Sequence, residues 1–213
     1  MIAGKPLALA RDASDLVGEC YELIGRRAEL ARPPITGRTD AYQDLLLKVT
    51  PPRLPRNLVP RKRLTTTAHA LGDASVLLVQ APAGFGKTSL LAQWRKEIQS
   101  TGVAVAWLSA HTRDDPHRLT LAVRVASGKA AFGQAAFEFD GDDRLEHVTV
   151  FLAELAQSAQ ELVLIIHEAD KLPEASREAL NYLLRQAPQN LHTVIAARPD
   201  WRTDLDDLVT YGR

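Results

Sequence analysis

Residues 78–89 read LVQAPAGFGKTS, with Ala83, Gly84, Phe85 and Gly86 leading into Lys87, Thr88 and Ser89. A loop that holds phosphates turns its backbone amides toward the ligand, and glycines remove side chains that would obstruct that approach. A helix beginning near Gly86 points its unpaired amides and the positive end of its dipole at the same place. Lys87 then supplies a mobile charge for the terminal phosphates, and Thr88 a hydroxyl for Mg²⁺. The full phosphate-loop pattern asks for a first glycine at position 81, where this chain carries Ala81. The rival reading of these residues is a tight strand-to-helix turn with an exposed lysine.

A second stretch, LVLIIHEAD at 162–170, ends an apolar run in His167 and Glu168, with Asp170 two positions on. Glu168 puts a carboxylate where a hydrolytic water would be held. His167 is a poor match for Mg²⁺, which takes hard oxygen ligands in a tight octahedron. Asp170 is the carboxylate that would have to turn toward the metal in its place. No transition-metal set is indicated, because His111, His117, His147 and His192 show no metal-like spacing with His167. Arg198 directly follows another apolar run, LHTVIAA, and ligands of open parallel sheets bind beyond the carboxyl ends of strands.

The elements that must position these residues are legible as alternating patterns. Short apolar runs at 75–81, 103–110, 162–166 and 191–197 read as strands, and the run at 162–166, continuous rather than alternating, reads as central with both faces covered. Helical patterns lie at 87–100, 116–131, 144–160 and 174–187. In the first, Leu90, Leu91, Trp94 and Ile98 share a face. In the third, Leu145, Val148, Leu152, Leu155 and Ala156 do, and in the last Ala175, Ala179, Leu180, Leu183 and Leu184 do. Strands separated by helices predict right-handed crossovers and a three-layer α/β fold, a mostly parallel sheet with helices on both faces. Ahead of this core, 12–31 suits an amphipathic helix that Pro33 and Pro34 end, with Cys20 as a packed apolar residue, and 40–48 suits a short helix. Another helix is expected at 62–71, and 133–143 reads as a loop. The expected division is a helical extension at 1–47, a linker at 48–60 and a P-loop NTPase domain at 61–213.

Composition limits the functional classes. The chain has 213 residues, 46% hydrophobic and 24% charged, enough for one domain with a full core plus an appendage. Lys plus Arg and Asp plus Glu both number 26, so no global field draws the chain to nucleic acid or lipid, and a polyanion site must be local. The basic run PRNLVPRKR reads as a solvated connector. No apolar run approaches the roughly 18 residues of a transmembrane helix, and the single cysteine allows no internal disulfide, so a cytoplasmic protein without membrane contact is expected.

Taken in order, VTPPRLPRNLVPRKRL, VLLVQAPAGFGKTSLLAQW, VAWLSAHTRDDPHRL, ELVLIIHEADKL and LHTVIAARPD resemble the N-terminal ATP-binding domain of the large LuxR-type transcriptional regulators. These are signal-transduction ATPases with numerous domains, of the maltose-regulon activator type. The resemblance covers roughly residues 48–213 and implies a switch. ADP would hold a resting monomer, while ATP with Mg²⁺ and an unidentified inducer would promote self-association, with DNA bound only through a distant C-terminal helix-turn-helix absent from this chain. The resemblance further implies that Ala81 is tolerated in the loop. It places Leu54, Pro55 and Arg56 through Pro60 and Arg61 beside the nucleotide base, and makes Arg198 a sensor of the γ-phosphate. In that family the central strand ends in two acidic residues, the first orienting the metal and the second the attacking water. Here those positions are His167 and Glu168, so slow or absent hydrolysis is expected, with Glu168 and Lys87 as the catalytic pair. The alternatives are a free-standing P-loop kinase or NTPase whose 133–143 loop meets an acceptor, and a degenerate scaffold that binds no nucleotide.

Overall fold

The computed structural model describes residues 39–53, 58–59, 64, 75–132, 144–158 and 160–201. The helix expected at 12–31, the one expected at 62–71 apart from Leu64, the 133–143 loop, and the Leu54–Pro55–Arg56 and Pro60–Arg61 positions lie outside the described residues. The chain divides into two compact units, Met1–Ala41 and Tyr42–Arg213. All the packing described below belongs to the second.

The elements, in order, are α1 (Thr39–Lys48), β1 (Val76–Gln80), α2 (Lys87–Ser100), β2 (Ala104–Ser109), α3 (Pro116–Phe132), α4 (Arg144–Gln157), β3 (Leu162–His167), α5 (Glu174–Arg185) and β4 (Leu191–Ala197). The strands form one sheet in the order β1-β4-β3-β2, and every pairing is parallel. Register brings the carboxyl ends together. Gln80 pairs with Ala197, Ile166 with Ile195, and Ser109 with His167. The segments that leave these strands therefore emerge along a single edge.

Successive side chains of a strand point to opposite faces, and the two sets bury against different helices. Val105, Trp107, Val163, Ile165, Val194 and Ala196 pack with Leu90, Leu91, Trp94 and Ile98 of α2. Ala104, Ala106, Leu108, Leu162, Leu164 and Ile166 face the other way, into a larger cluster with Leu119 and Val123 of α3, Leu152 of α4 and Leu180 of α5. The result is the expected three-layer arrangement, with β3 central and covered on both faces.

Two alanines expected to face inward do not. Ala175 is exposed while its neighbour Ser176 is fully buried, and Ala156 is exposed while Phe151 is buried. The serine replaces the alanine in the interior because its hydroxyl donates to the Asp114 carbonyl. In α4 the larger aromatic side chain has more area to remove from water than a methyl group does.

Asp114 anchors the loop between β2 and α3. Its side chain is inaccessible and receives Lys48 Nζ at 2.5 Å and the His111 amide at 2.7 Å. Arg118 approaches from one turn further along α3, its Nε 3.4 Å from the carboxylate, and Arg118 also pairs with Asp44 of α1. Asp115 caps α3 by accepting the Arg118 amide at 2.8 Å, with Pro116 at the first helical position where no amide is needed. Burial holds the Lys48 amine below its ordinary pKa, against the pull of Asp114.

Candidate nucleotide-binding site

β1 ends at Gln80 and α2 starts at Lys87, so residues 81–86 turn the chain at the carboxyl edge of the sheet. The Ala81 amide still donates to the Ala197 carbonyl, at 3.4 Å, which ties the loop entrance to β4. Gly84 and Gly86 have φ of 82° and 80°, the left-handed region that other L-residues enter only at a cost. A Cβ placed on Gly84 would meet nothing within 4 Å, so the glycine is required by the turn and not by crowding.

Gly86 precedes α2 without any side-chain cap, and no acidic residue occupies the first turn. The first amides of α2, at Lys87, Thr88 and Ser89, therefore have no acceptor within the helix. Lys87 folds back over this bend, donating to the carbonyls of Ala81 and, at 3.0 Å, of Pro82. Phe85, at the tip, is exposed. Two groups of donors thus converge, one fixed in the backbone and one on a movable amine, and that combination suits a multiply charged oxyanion.

The neighbouring strand ends close the site. His167 lies in the same strand-face set as Val163 and Ile165, which points its ring toward the start of α2, and its Nε2 is 2.7 Å from the Thr88 hydroxyl. The ring also lies 5.6 Å from the Trp107 ring centroid. Burial lowers the His167 pKa, and Lys171 and Lys87 add to the effect while Glu168 and Asp170 oppose it.

Glu168 adopts φ 60°, the one non-glycine residue with positive φ among the described residues, and its carboxylate receives Lys171 at 2.6 Å. Asp170 sits in the short turn that follows. It accepts the Arg198 backbone amide at 3.2 Å and lies 3.3 Å from Arg198 Nε. Of the residues singled out from sequence, Gly84, Gly86, Lys87, Thr88, Glu168, Asp170 and Arg198 thus gather at one edge, while Arg56 lies outside the described residues. Lys171 was not anticipated, because nothing in a lysine three positions after a glutamate distinguishes a site residue from a surface pair. The contact between His167 and Thr88 was legible in principle, since counting alternate positions back from His167 reaches the residues that face α2.

Around Thr88 the donors do not fit a magnesium ion. The hydroxyl is engaged by an imidazole, and the carboxylates of Glu168 and Asp170 are each held by a cation. Among the described residues no group of three or more His, Cys, Asp or Glu side chains is arranged to hold a metal.

Val59 and Leu64 lie beside α2. The Val59 carbonyl accepts from Gln93 at 3.3 Å and the Leu64 carbonyl from Trp94 at 2.5 Å. Gln93 lies about one and a half turns beyond Thr88.

Residues 61–195 match the AAA ATPase domain family. The chain belongs to it. Membership of the AAA ATPase domain family implies nucleotide binding. Among curated relatives of this AAA ATPase domain, the serine/threonine-protein kinase PknK of Mycobacterium tuberculosis is 31% identical over 149 residues, covering 66% of this chain and 13% of that protein. The HTH-type transcriptional regulator MalT of Yersinia enterocolitica is 27% identical over 161 residues, covering 71% of this chain and 17% of that protein. The chain thus spans less than a fifth of the length of either relative. Among solved structures, Cdc6p of Pyrobaculum aerophilum aligns with a TM-score of 0.48 at 13% identity, over 71% of this chain and 42% of that one. The Aeropyrum pernix Orc1 protein in complex with DNA aligns with a TM-score of 0.45 at 19% identity, over 59% and 34%. No described helix is long and apolar enough to cross a membrane.

Proposed function

We propose that this chain is the ATP- and ADP-binding switch domain of a signal-responsive LuxR-type transcriptional regulator, cytoplasmic, with slow or absent hydrolysis. The observation that carries the nucleotide reading is the bend at 81–86. It has two left-handed glycines, uncapped amides at the start of α2, and the Lys87 amine resting on the loop's own carbonyls, from which a phosphate would recruit it. The regulator reading draws support from the likeness to MalT and from the absence of a membrane-spanning helix among the described residues.

Within this reading Ala83, Gly84, Phe85, Gly86, Lys87, Thr88 and Ser89 surround the phosphates. The linker that carries Arg56 flanks the base, an assignment supported by the Val59 contact with α2. Arg198 serves as the γ-phosphate sensor and leaves Asp170 to do so. Glu168 orients water for whatever hydrolysis occurs, with one of its two carboxylate oxygens engaged by Lys171. A γ-phosphate that draws the Arg198 side chain away from Asp170 removes the side-chain part of the tie between the end of β4 and the turn after β3 and leaves the backbone amide bond, which gives ATP and ADP different effects on one edge. ATP-dependent self-association, promoted by an unidentified inducer, is part of the same switch.

Parallel titrations of purified protein with ATP and with ADP test the switch. Different affinities for the two, with the difference reduced in Arg198→Ala, support it. Equal affinities remove the basis for a switch, since a ligand shifts an equilibrium only through differential binding. Transfer of the γ-phosphate to a small-molecule acceptor would instead favour a kinase.

A further inference from the structure

We infer that the cradle takes its nucleoside diphosphate without a divalent cation, because His167 occupies the place beside Thr88 where a carboxylate would otherwise require one. The inference rests on the nucleotide reading above.

A carboxylate next to bound phosphates repels them, and a divalent ion between the two turns that repulsion into attraction. At this edge the repulsion has been removed at its source. The group 2.7 Å from the Thr88 hydroxyl is an imidazole, which carries no negative charge in either tautomer. Both neighbouring carboxylates are already paired, Glu168 with Lys171 at 2.6 Å and Asp170 with Arg198 at 3.3 Å. Lys87 reaches only carbonyl oxygens, so its charge is left over for the ligand. Lys87, Lys171 and Arg198 therefore outnumber Glu168 and Asp170 beside the cradle before any ion arrives, which suits the more highly charged, metal-free nucleotide.

The Thr88 hydroxyl has a second consequence. Its partner is a ring nitrogen of a half-buried side chain that also packs against Trp107, 5.6 Å away between ring centroids. A magnesium ion would have to take that oxygen from the imidazole, which adds no negative charge to the ion's surroundings in return.

Titration calorimetry with ADP, in EDTA and then in millimolar Mg²⁺, tests this directly on the whole chain. The wild-type dissociation constant is expected to agree within about threefold between the two buffers. His167→Asp restores the missing charge and is expected to weaken binding about tenfold or more in EDTA, with recovery in Mg²⁺. His167→Asn, the neutral isostere of that aspartate, is expected to remain indifferent to Mg²⁺, and its melting temperature checks that the fold survives. Wild-type affinity that rises more than about tenfold with Mg²⁺ overturns the inference and leaves the cradle intact. Indifference to Mg²⁺ in His167→Asp overturns the role of His167. Absence of ADP binding in both buffers overturns the nucleotide reading and this inference with it.

Discussion

Two sets of ion pairs flank this sheet, and they differ in how far water reaches them. Around Asp114 the carboxylate is inaccessible and Lys48 is 7% exposed, with both charges fixed by packing and by the His111 amide. At the carboxyl edge the side chains of Lys171 and Glu168 are 36% and 38% exposed, and Arg198 is 56% exposed over a more sheltered Asp170. Removing one partner of a buried pair strands a charge, whereas exposed pairs gain little and lose little. The first set therefore holds α1 and α3 to the core, and the second can be rearranged at small cost. A ligand that must exchange partners with charged side chains can do so only in the second.

The largest effect is expected from the buried set. Asp114→Ala strands Lys48 and is expected to cost about 3–5 kcal/mol of unfolding free energy, measured by urea denaturation. A cost under about 1 kcal/mol would mean that water reaches the knot.

Gly84→Ala comes next. No atom obstructs the new methyl, so the expected loss of about 1–2 kcal/mol reflects φ alone, and the same denaturation measurement reads it. A neutral result would indicate that the loop readily adopts another turn.

The smallest effects belong to the exposed pairs. Lys171→Ala and Arg198→Ala are each expected to change stability by no more than about 1 kcal/mol. A larger loss from either would assign that pair to the scaffold and sharpen the boundary between the two regions.

Much of this fold was legible because the strands are short, continuous apolar runs whose ends coincide with polar or proline residues. Leu162–His167 and Lys87–Ser100 fall where pattern alone puts them. Pattern failed where burial depends on a partner. Ser176 is buried because Asp114 offers it a carbonyl, and Ala175 is exposed although its type favours neither side. The glycine-rich loop announced its chemistry through residue type. The pairing of Glu168 with Lys171 and of Asp170 with Arg198 did not, because those contacts depend on the left-handed turn at Glu168 and on strand register, neither of which a carboxylate or an arginine encodes by itself.

The most direct test of the account is calorimetric titration of the wild-type chain and of Lys87→Ala with ADP. Saturable binding at one site per chain is expected, weakened about tenfold or more by the substitution while the denaturation midpoint barely moves, since Lys87 touches only loop carbonyls. Binding that ignores the loss of the Lys87 amine, or no binding by either protein, would contradict it.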